Sequence, residues 1–295
     1  MPISKKNISI IIVTFKSGHI INNCIQSIPK DINIIIVENS NDRLFKINLE
    51  KKYPNVKCLL SNSNLGMGQG NNFGIKHVTT DYALILNPDV VLEKEMIEKI
   101  ISSSQKIDTF SIIAPLSSNQ KYPNYKLDKK KNQSFNIKDP FKVISVDGYA
   151  MLLNLKRINK LKTFESKNYF DENIFMYLEN DDLCKRLIDL NENIFIVPQS
   201  KIYHLGAQGS DKRYFYEVEL SRNWHWSWSK FYYNKKHKGT LAAINACLPS
   251  FILSLLKYLF YLIILNKKKE IYQKKISGYF NAMLGKKSWY RPNIN

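Results

Sequence analysis

Short apolar runs of strand length alternate with polar, Gly- and Asn-containing loops through the first two thirds of the chain. Residues 8–13 are β-branched and almost wholly apolar, as expected of a parallel strand covered on both faces. A loop over 14–18 follows, then Ile20, Ile21, Cys24, Ile25 and Ile28 recur at helical spacing up to Pro29. Residues 32–37 predict a second strand ending in the polar loop 38–42, and Val56–Leu60 a third. Behind it, Gly66, Gly68, Gly70 and Gly74 interrupt an Asn-rich stretch, which predicts a loop able to approach a ligand closely and a helix beginning near Asn71. The glycine spacing matches neither a Walker loop nor a dinucleotide fingerprint. Tyr82–Leu86 is a buried strand that Pro88 stops by removing a backbone donor, leaving Asp89 at a strand end. In an alternating α/β sheet ligands bind at the carboxyl ends of strands, and a hard carboxylate there suits Mg²⁺ or Mn²⁺. Asn87-Pro88-Asp89 is equally a good turn.

Further along, 93–102 predicts a helix and 111–114 a strand. Residues 117–140 read as a long Lys- and Asn-rich loop carrying Tyr122, Tyr125 and Phe135, a length that in a compact domain is either disordered or functional, as a cover over an active site. Val143–Val146 leads into Asp147-Gly148, where the glycine permits a tight bend before a strand or buried segment reaching Leu153. Glu179, Asp181 and Asp182 fall in the first turn of a helix, where acidic side chains complement the macrodipole. Three carboxylates in four positions exceed what a cap needs, and their repulsion calls for a cation or a substrate hydroxyl. Residues 194–197 predict a strand ending at Pro198, with His204 in a Gly-containing loop beyond. Strand–helix–strand units with polar loops at one edge describe an α/β fold with a mainly parallel sheet.

The last quarter changes character. Residues 214–233 carry Trp224, Trp226 and Trp228 and read as a packed helix beside the acceptor cleft in preference to a dedicated sugar platform, although aromatic faces do stack on sugars. Residues 241–265 contain a single charge, Lys257, between basic clusters at 235–238, 267–269 and 274–275. That length suffices to span a bilayer. Pro249 and the polar face Ser250, Ser254, Lys257, Tyr258 and Tyr261 favour a helix lying in the membrane plane instead. We therefore expect a domain over 1–235 and a helical, membrane-associating region over 236–295, peripheral or monotopic on the cytoplasmic leaflet. The net charge of +19 predicts an anionic partner. Its concentration around the apolar tail points to an anionic membrane surface and away from nucleic acid, for which no basic helix or aromatic-basic sheet motif is evident. Four scattered cysteines form no Cys-x-x-Cys pair and fit a reducing compartment. Lys5 and Lys6 before 8–13 do not make a secretory leader, since the run is short and no small-residue cleavage site follows.

Between residue 8 and about residue 229 the chain resembles the family 2 glycosyltransferases, and within them a bacterial rhamnosyltransferase-like group. The resemblance rests on the order of Val13-Thr14-Phe15, Glu38-Asn39-Ser40, Asn64-Leu65-Gly66 to Ile75, Leu86-Asn87-Pro88-Asp89, Asp147-Gly148, Phe170-Asp171-Glu172 to Cys184, and His204 to Ser210. It implies a GT-A fold and an inverting, metal-dependent transfer of rhamnose or another hexose from a dTDP- or UDP-sugar to a cell-surface glycan or lipid-linked acceptor. It implies Thr14, Phe15, Glu38, Asn39, Asn64, Gly66, Gly70, Asn71, Asn87 and Asp147 on the donor. It also implies Asp89 and His204 as ligands of Mn²⁺ or Mg²⁺, and Asp182, then Glu179, then Asp181 as the base. Asn87 stands where Asp-x-Asp has its first aspartate, and Asn180 where many members carry the second acid of a Glu-Asp pair. These two losses also permit an inactive nucleotide-sugar-binding scaffold at the membrane.

Overall fold

The computed structural model describes residues 3–119, 123–128, 138–164, 166, 168–206 and 208–294. Tyr122 and Phe135 of the long loop lie outside them. The chain forms two compact units, one from the N-terminus to Phe170 with Asn180–Asp211, the other Asp171–Glu179 with Lys212 onward. The division at 211/212 lies upstream of the 235/236 break expected from composition.

In the first unit the strands are β1 (Ile8–Thr14), β2 (Asn33–Glu38), β3 (Val56–Leu60), β4 (Tyr82–Leu86), β5 (Val90–Leu92), β6 (Ile112–Ser117), β7 (Tyr125–Lys126), β8 (Phe141–Val143), β9 (Ser145–Val146), β10 (Ala150–Asn154) and β11 (Ile194–His204). Its helices are α1 (Ile21–Gln26), α2 (Arg43–Lys52), α3 (Gly66–Ile75), α4 (Met96–Ser104) and α5 (Leu155–Ile158), with α6 (Glu179–Asp189) beginning at the boundary between the units. The main sheet runs β3-β2-β1-β4-β10-β6-β11-β5, with β8 also on β11; β7 pairs with β9 apart. β1, β2, β3 and β4 are parallel, and β10 is antiparallel to both β4 and β6. Two cores cover the sheet. Ile8, Ile10 and Ile12 of β1 enter one and Ile11 the other, the alternation a doubly covered strand requires.

Three elements depart from expectation. The glycine-rich stretch is helix from Gly66, five residues before the start expected near Asn71. Its glycines let α3 press onto the sheet: a Cβ on Gly74 would lie 2.7 Å from Ile11 Cγ2, and one on Gly70 3.0 Å from Val13 Cγ1. Pro198 does not end its strand. β11 continues to His204 because a register shift between Val197 and Lys201 against β6 absorbs the missing donor. α2, capped by Asp42 accepting from the Phe45 amide at 2.9 Å, has little sequence signature because only Leu49 of its residues is buried.

The second unit holds α7 (Phe215–Lys238), α8 (Thr240–Ile263) and α9 (Lys268–Met283). Trp224, Trp228, Phe231, Ala243, Cys247, Tyr279 and Ala282 form its core. Gly278 brings α9 against α7, since a Cβ there would be 2.3 Å from the Trp224 carbonyl oxygen. His225 is fully buried in α7, stacked on Phe175 at 4.3 Å. Its Nε2 donates to the Tyr290 carbonyl at 2.7 Å and its Nδ1 accepts from the Ser288 hydroxyl at 3.0 Å, which ties the terminal segment down with a neutral imidazole. Pro249 sits inside an unbroken α8, which is long and apolar enough to cross a membrane. α8 turns its small and polar side inward: Ala243, Cys247 and Ser254 are buried, Ser250 accepts from Lys230 Nζ at 3.2 Å, and Tyr261 stacks on Tyr272. Its Leu and Ile side chains face outward, Leu241 at 78% exposure and Ile263 at 80%.

Candidate active site

Strand direction alone gathers most of the candidate residues. β1, β2, β3 and β4 are parallel, so the residues following them, Phe15, Asn39, Asn64 and Asn87, leave the sheet at one edge. β10 runs the other way and begins at that edge, with Ala150 opposite Leu86, which brings Asp147 and Gly148 there. β11 ends there, and the short antiparallel β5 starts there with Val90 opposite His204. That register sets Asp89, the residue before β5, beside the end of β11.

Asp89 is nearly fully buried in a turn closed by the Val90 amide donating to the Asn87 carbonyl at 3.2 Å, with Pro88 at the second position. Its Oδ1 lies 3.4 Å from His204 Nε2, and its Oδ2 accepts from the Gln208 amide at 3.3 Å. Tyr149 stacks on the His204 ring at 4.0 Å and fixes its plane. The Tyr149 hydroxyl is pushed up to about 12 by burial and then by Asp147, so it stays protonated near neutrality. Asp147 is itself shifted upward, first by burial and then by the charge of Asp181, while Lys126 and His204 oppose the shift.

Asp89 and His204 offer one carboxylate oxygen and one imidazole nitrogen at a common point. Among the described residues no group of three or more His, Cys, Asp or Glu gathers as a metal site. Two protein donors are too few for a structural zinc, but they fit Mg²⁺ or Mn²⁺, which commonly take several of their ligands from substrate phosphates and water.

The donor-side residues divide into those tied into the fold and those with capacity left. Thr14 Oγ1 donates to the Val37 carbonyl at 3.3 Å. The Glu38 carboxylate accepts from the Asp42 amide at 2.8 Å and from both the amide and the hydroxyl of Ser40, so it shapes its own loop. Asn64 Oδ1 accepts from the Gly66 amide at 3.1 Å, as in an Asx turn. By contrast, Oδ1 of Asn39, Asn71 and Asn87 is buried and, among the described residues, accepts no hydrogen bond. Buried acceptors without a donor are rare in folded proteins, and these three, two on strand-end loops and Asn71 within α3, mark where a ligand would bind.

The carboxylates of α6 are not what their spacing suggested. Asp182 is fully buried and ion-paired with Arg186 Nε at 2.8 Å, so this first choice for the base faces the core and not a substrate. Asp181 accepts from Lys126 Nζ at 2.7 Å and from Ser145 Oγ at 2.5 Å. The repulsion expected of three acids is thus offset by two cations, Lys126 and Arg186. Asn180 donates to the Val146 carbonyl at 2.8 Å, which fixes the start of the helix against the Asp147-Gly148 loop. Sequence reasoning passed over Tyr149, Lys126 and Ser145. Tyr149 alone had a local signal, two residues after Asp147.

The model of "Glycosyl transferase family 2" matches residues 9–176. A low-salt glycan biosynthesis hexosyltransferase, Agl10 of Haloferax volcanii, is 27% identical over 207 residues. The alignment covers 64% of this chain and 64% of that protein. A mannosyltransferase from Pyrobaculum calidifontis, solved with GDP-Man and Mn²⁺, has a TM-score of 0.57 at 9% identity, covering 97% of this chain and 89% of its own. S. aureus TarS 1-349 has a TM-score of 0.51 at 13% identity, with coverage of 98% and 94%. The structural likenesses show the fold, a GT-A-like α/β sheet flanked by helices. The family match spans more than half of the residues and includes that edge as far as Asp147, so the chain belongs to glycosyl transferase family 2.

Proposed function

We propose that the chain transfers a hexosyl group from a nucleoside-diphosphate sugar to a saccharide acceptor held at a membrane surface. The observation that carries this is the single sheet edge where Asp89 and His204 meet and where Asn39, Asn71 and Asn87 keep unused buried acceptors. In its finer form the donor is a dTDP- or UDP-linked hexose or deoxyhexose such as rhamnose, the acceptor a cell-surface glycan or its lipid-linked precursor, and the transfer inverting. Ligands in two solved structures of similar fold, UDP in that of GalNAc-T7 and GDP-Man in that of the Pyrobaculum enzyme, support the nucleotide class.

Asp89 and His204 would hold Mn²⁺ or Mg²⁺, and that cation, when bound, offsets the charge that develops on a departing diphosphate. The three asparagine oxygens accept from hydroxyl and N–H groups of the donor and orient it. With Asp181 and Asp182 held by Lys126 and Arg186, Glu179 at the first position of α6 is the carboxylate we assign to the acceptor proton. Attack by that hydroxyl on the anomeric carbon, opposite the leaving nucleotide, inverts the configuration.

The membrane part of the proposal rests on α8. Its apolar side is exposed, and the helices it packs against carry Lys235, Lys236, Lys268, Lys269, Lys274 and Lys275. A spanning α8 would take those charges into lipid, whereas one lying in the plane keeps them at the phosphate level of an anionic cytoplasmic leaflet. Co-sedimentation with phosphatidylglycerol vesicles but not with phosphatidylcholine vesicles is the result expected.

The decisive test is calorimetry with dTDP, UDP, GDP and their sugars, with and without Mn²⁺, repeated on Asp89→Ala. Metal-dependent binding of one nucleotide, lost in the variant, supports the proposal. Failure of every nucleotide to bind the folded protein would leave a membrane-bound scaffold as the better account.

A further inference from the structure

α7 places three tryptophans two residues apart, and they do not do the same thing. Trp224 and Trp228 are buried in the core of the second unit, while Trp226, rotated about 200° from each along the helix, is 45% exposed. Its ring meets that of Tyr177 edge-on, with centroids 5.4 Å apart. Together with Glu219, Arg222 and Asn223 the two rings line a cavity of about 240 Å³.

The polar lining is pre-arranged. Arg222 Nε donates to the Tyr177 hydroxyl at 2.9 Å, while its Nη1 stands 3.8 Å from Glu219 Oε2, beyond hydrogen-bond range. Asn223 Nδ2 donates to Glu219 Oε1 at 2.7 Å and holds that carboxylate in place. One cation and one anion face the cavity, which therefore selects for neither charge.

The backbone supplies a second, independent sign. Tyr177 and Leu178 have φ of +70° and +67°, consecutive non-glycine residues in the left-handed region. Such residues are strained, and they cluster at functional sites. Here they fall at Tyr177, whose ring lines the cavity, and at the residue before α6.

An exposed and a half-buried aromatic ring beside a fixed guanidinium, a carboxylate and a carboxamide offer an apolar face for the C–H side of a pyranose and paired donors and acceptors for its hydroxyls. The cavity is smaller than the roughly 300–1,000 Å³ typical of drug-sized ligands, which suits a single ring. We propose that Tyr177, Glu219, Arg222, Asn223 and Trp226 form a binding site for one neutral pyranose ring of the acceptor saccharide. The inference rests on the glycosyl-transfer reading for the word acceptor, but not for the binding of a sugar.

The test is saturation-transfer difference NMR with a panel of methyl hexopyranosides at millimolar concentration, on wild type, Trp226→Ala and Arg222→Lys, with nucleotide binding measured by calorimetry on the same samples. At least one glycoside should give a signal with wild type that falls fivefold or more in Trp226→Ala and also drops in Arg222→Lys, with nucleotide affinity unchanged within twofold. A glycoside signal unaffected by either substitution, or no glycoside signal from protein that binds nucleotide, overturns the inference. Glycoside binding lost on substitution in a protein that binds no nucleotide would uphold the sugar site and sink the transfer reading instead.

Discussion

His225 makes the second unit sensitive to mild acid. Burial is the main reason its pKa is lowered to about 3, with the Arg291 guanidinium adding to it and the hydrogen bond to Tyr290 opposing. The unfolded chain, at an ordinary 6.5, takes up the proton first, so the native state loses stability as pH falls from 6.5 toward 3 and is unaffected above 6.5. Each unit in that window costs about 1.4 kcal/mol, or about 2 kcal/mol between pH 7.5 and pH 5. For a unit of under a hundred residues that is a fall of about 8–16 °C in melting temperature. All four tryptophans, 224, 226, 228 and 289, belong to this unit, so intrinsic fluorescence follows it selectively. Melts recorded by tryptophan emission at pH 7.5 and 5 should show the fall in wild type. In His225→Gln, which carries no titrating ring, the midpoint should start lower and change little with pH. Equal midpoints for wild type at the two pH values, or the same fall in His225→Gln, would refute the assignment of acid sensitivity to this residue.

Gly278→Ala gains about 1 kcal/mol of helix propensity but meets the Trp224 backbone oxygen, which no rotamer change relieves, so α9 must shift. A net loss of about 1–3 kcal/mol is expected in a denaturant titration followed by tryptophan emission. Asn72 donates to the Phe170 carbonyl at 2.8 Å and accepts from its amide at 2.9 Å, so Asn72→Ala strands two buried backbone groups and should cost about 2–4 kcal/mol in thermal unfolding of the first unit. Glu179→Gln should lower kcat for sugar transfer 10²- to 10⁴-fold with donor affinity unchanged; an equal loss in donor affinity would show a binding role instead.

The buried parallel strands were legible because a strand covered on both faces must be largely apolar, and 8–13, 32–37 and 82–86, broken only by Ser9 and Asn33, satisfy that without help from context. The edge carrying Asp89 followed from Pro88 and the strand-end rule. What escaped depended on partners distant in sequence. The glycines of α3 read as loop because local propensity favours loop, and only the side chains of Ile11, Val13 and Val37 across the interface explain why they belong in a helix. The three acids of α6 looked underemployed because Lys126, 55 residues away from Asp181, leaves no trace in the local pattern. Trp226 was grouped with its buried neighbours because an aromatic-rich helix has no obvious polar face to set one ring apart.

The pairing of β5 with β11 sets the geometry of the proposed cation site by counting. Three ladder pairs, Val90 with His204, Val91 with Tyr203 and Leu92 with Ile202, fix the separation of two side chains more than a hundred positions apart. Such a gauge is indifferent to which apolar residues occupy it but intolerant of length. A one-residue deletion in 90–92 would carry Asp89 a full strand step along His204 and reverse the faces, whereas Val91→Ile would leave the spacing as it is. The site is therefore guarded less by the chemistry of its neighbours than by the number of residues between a proline and a helix.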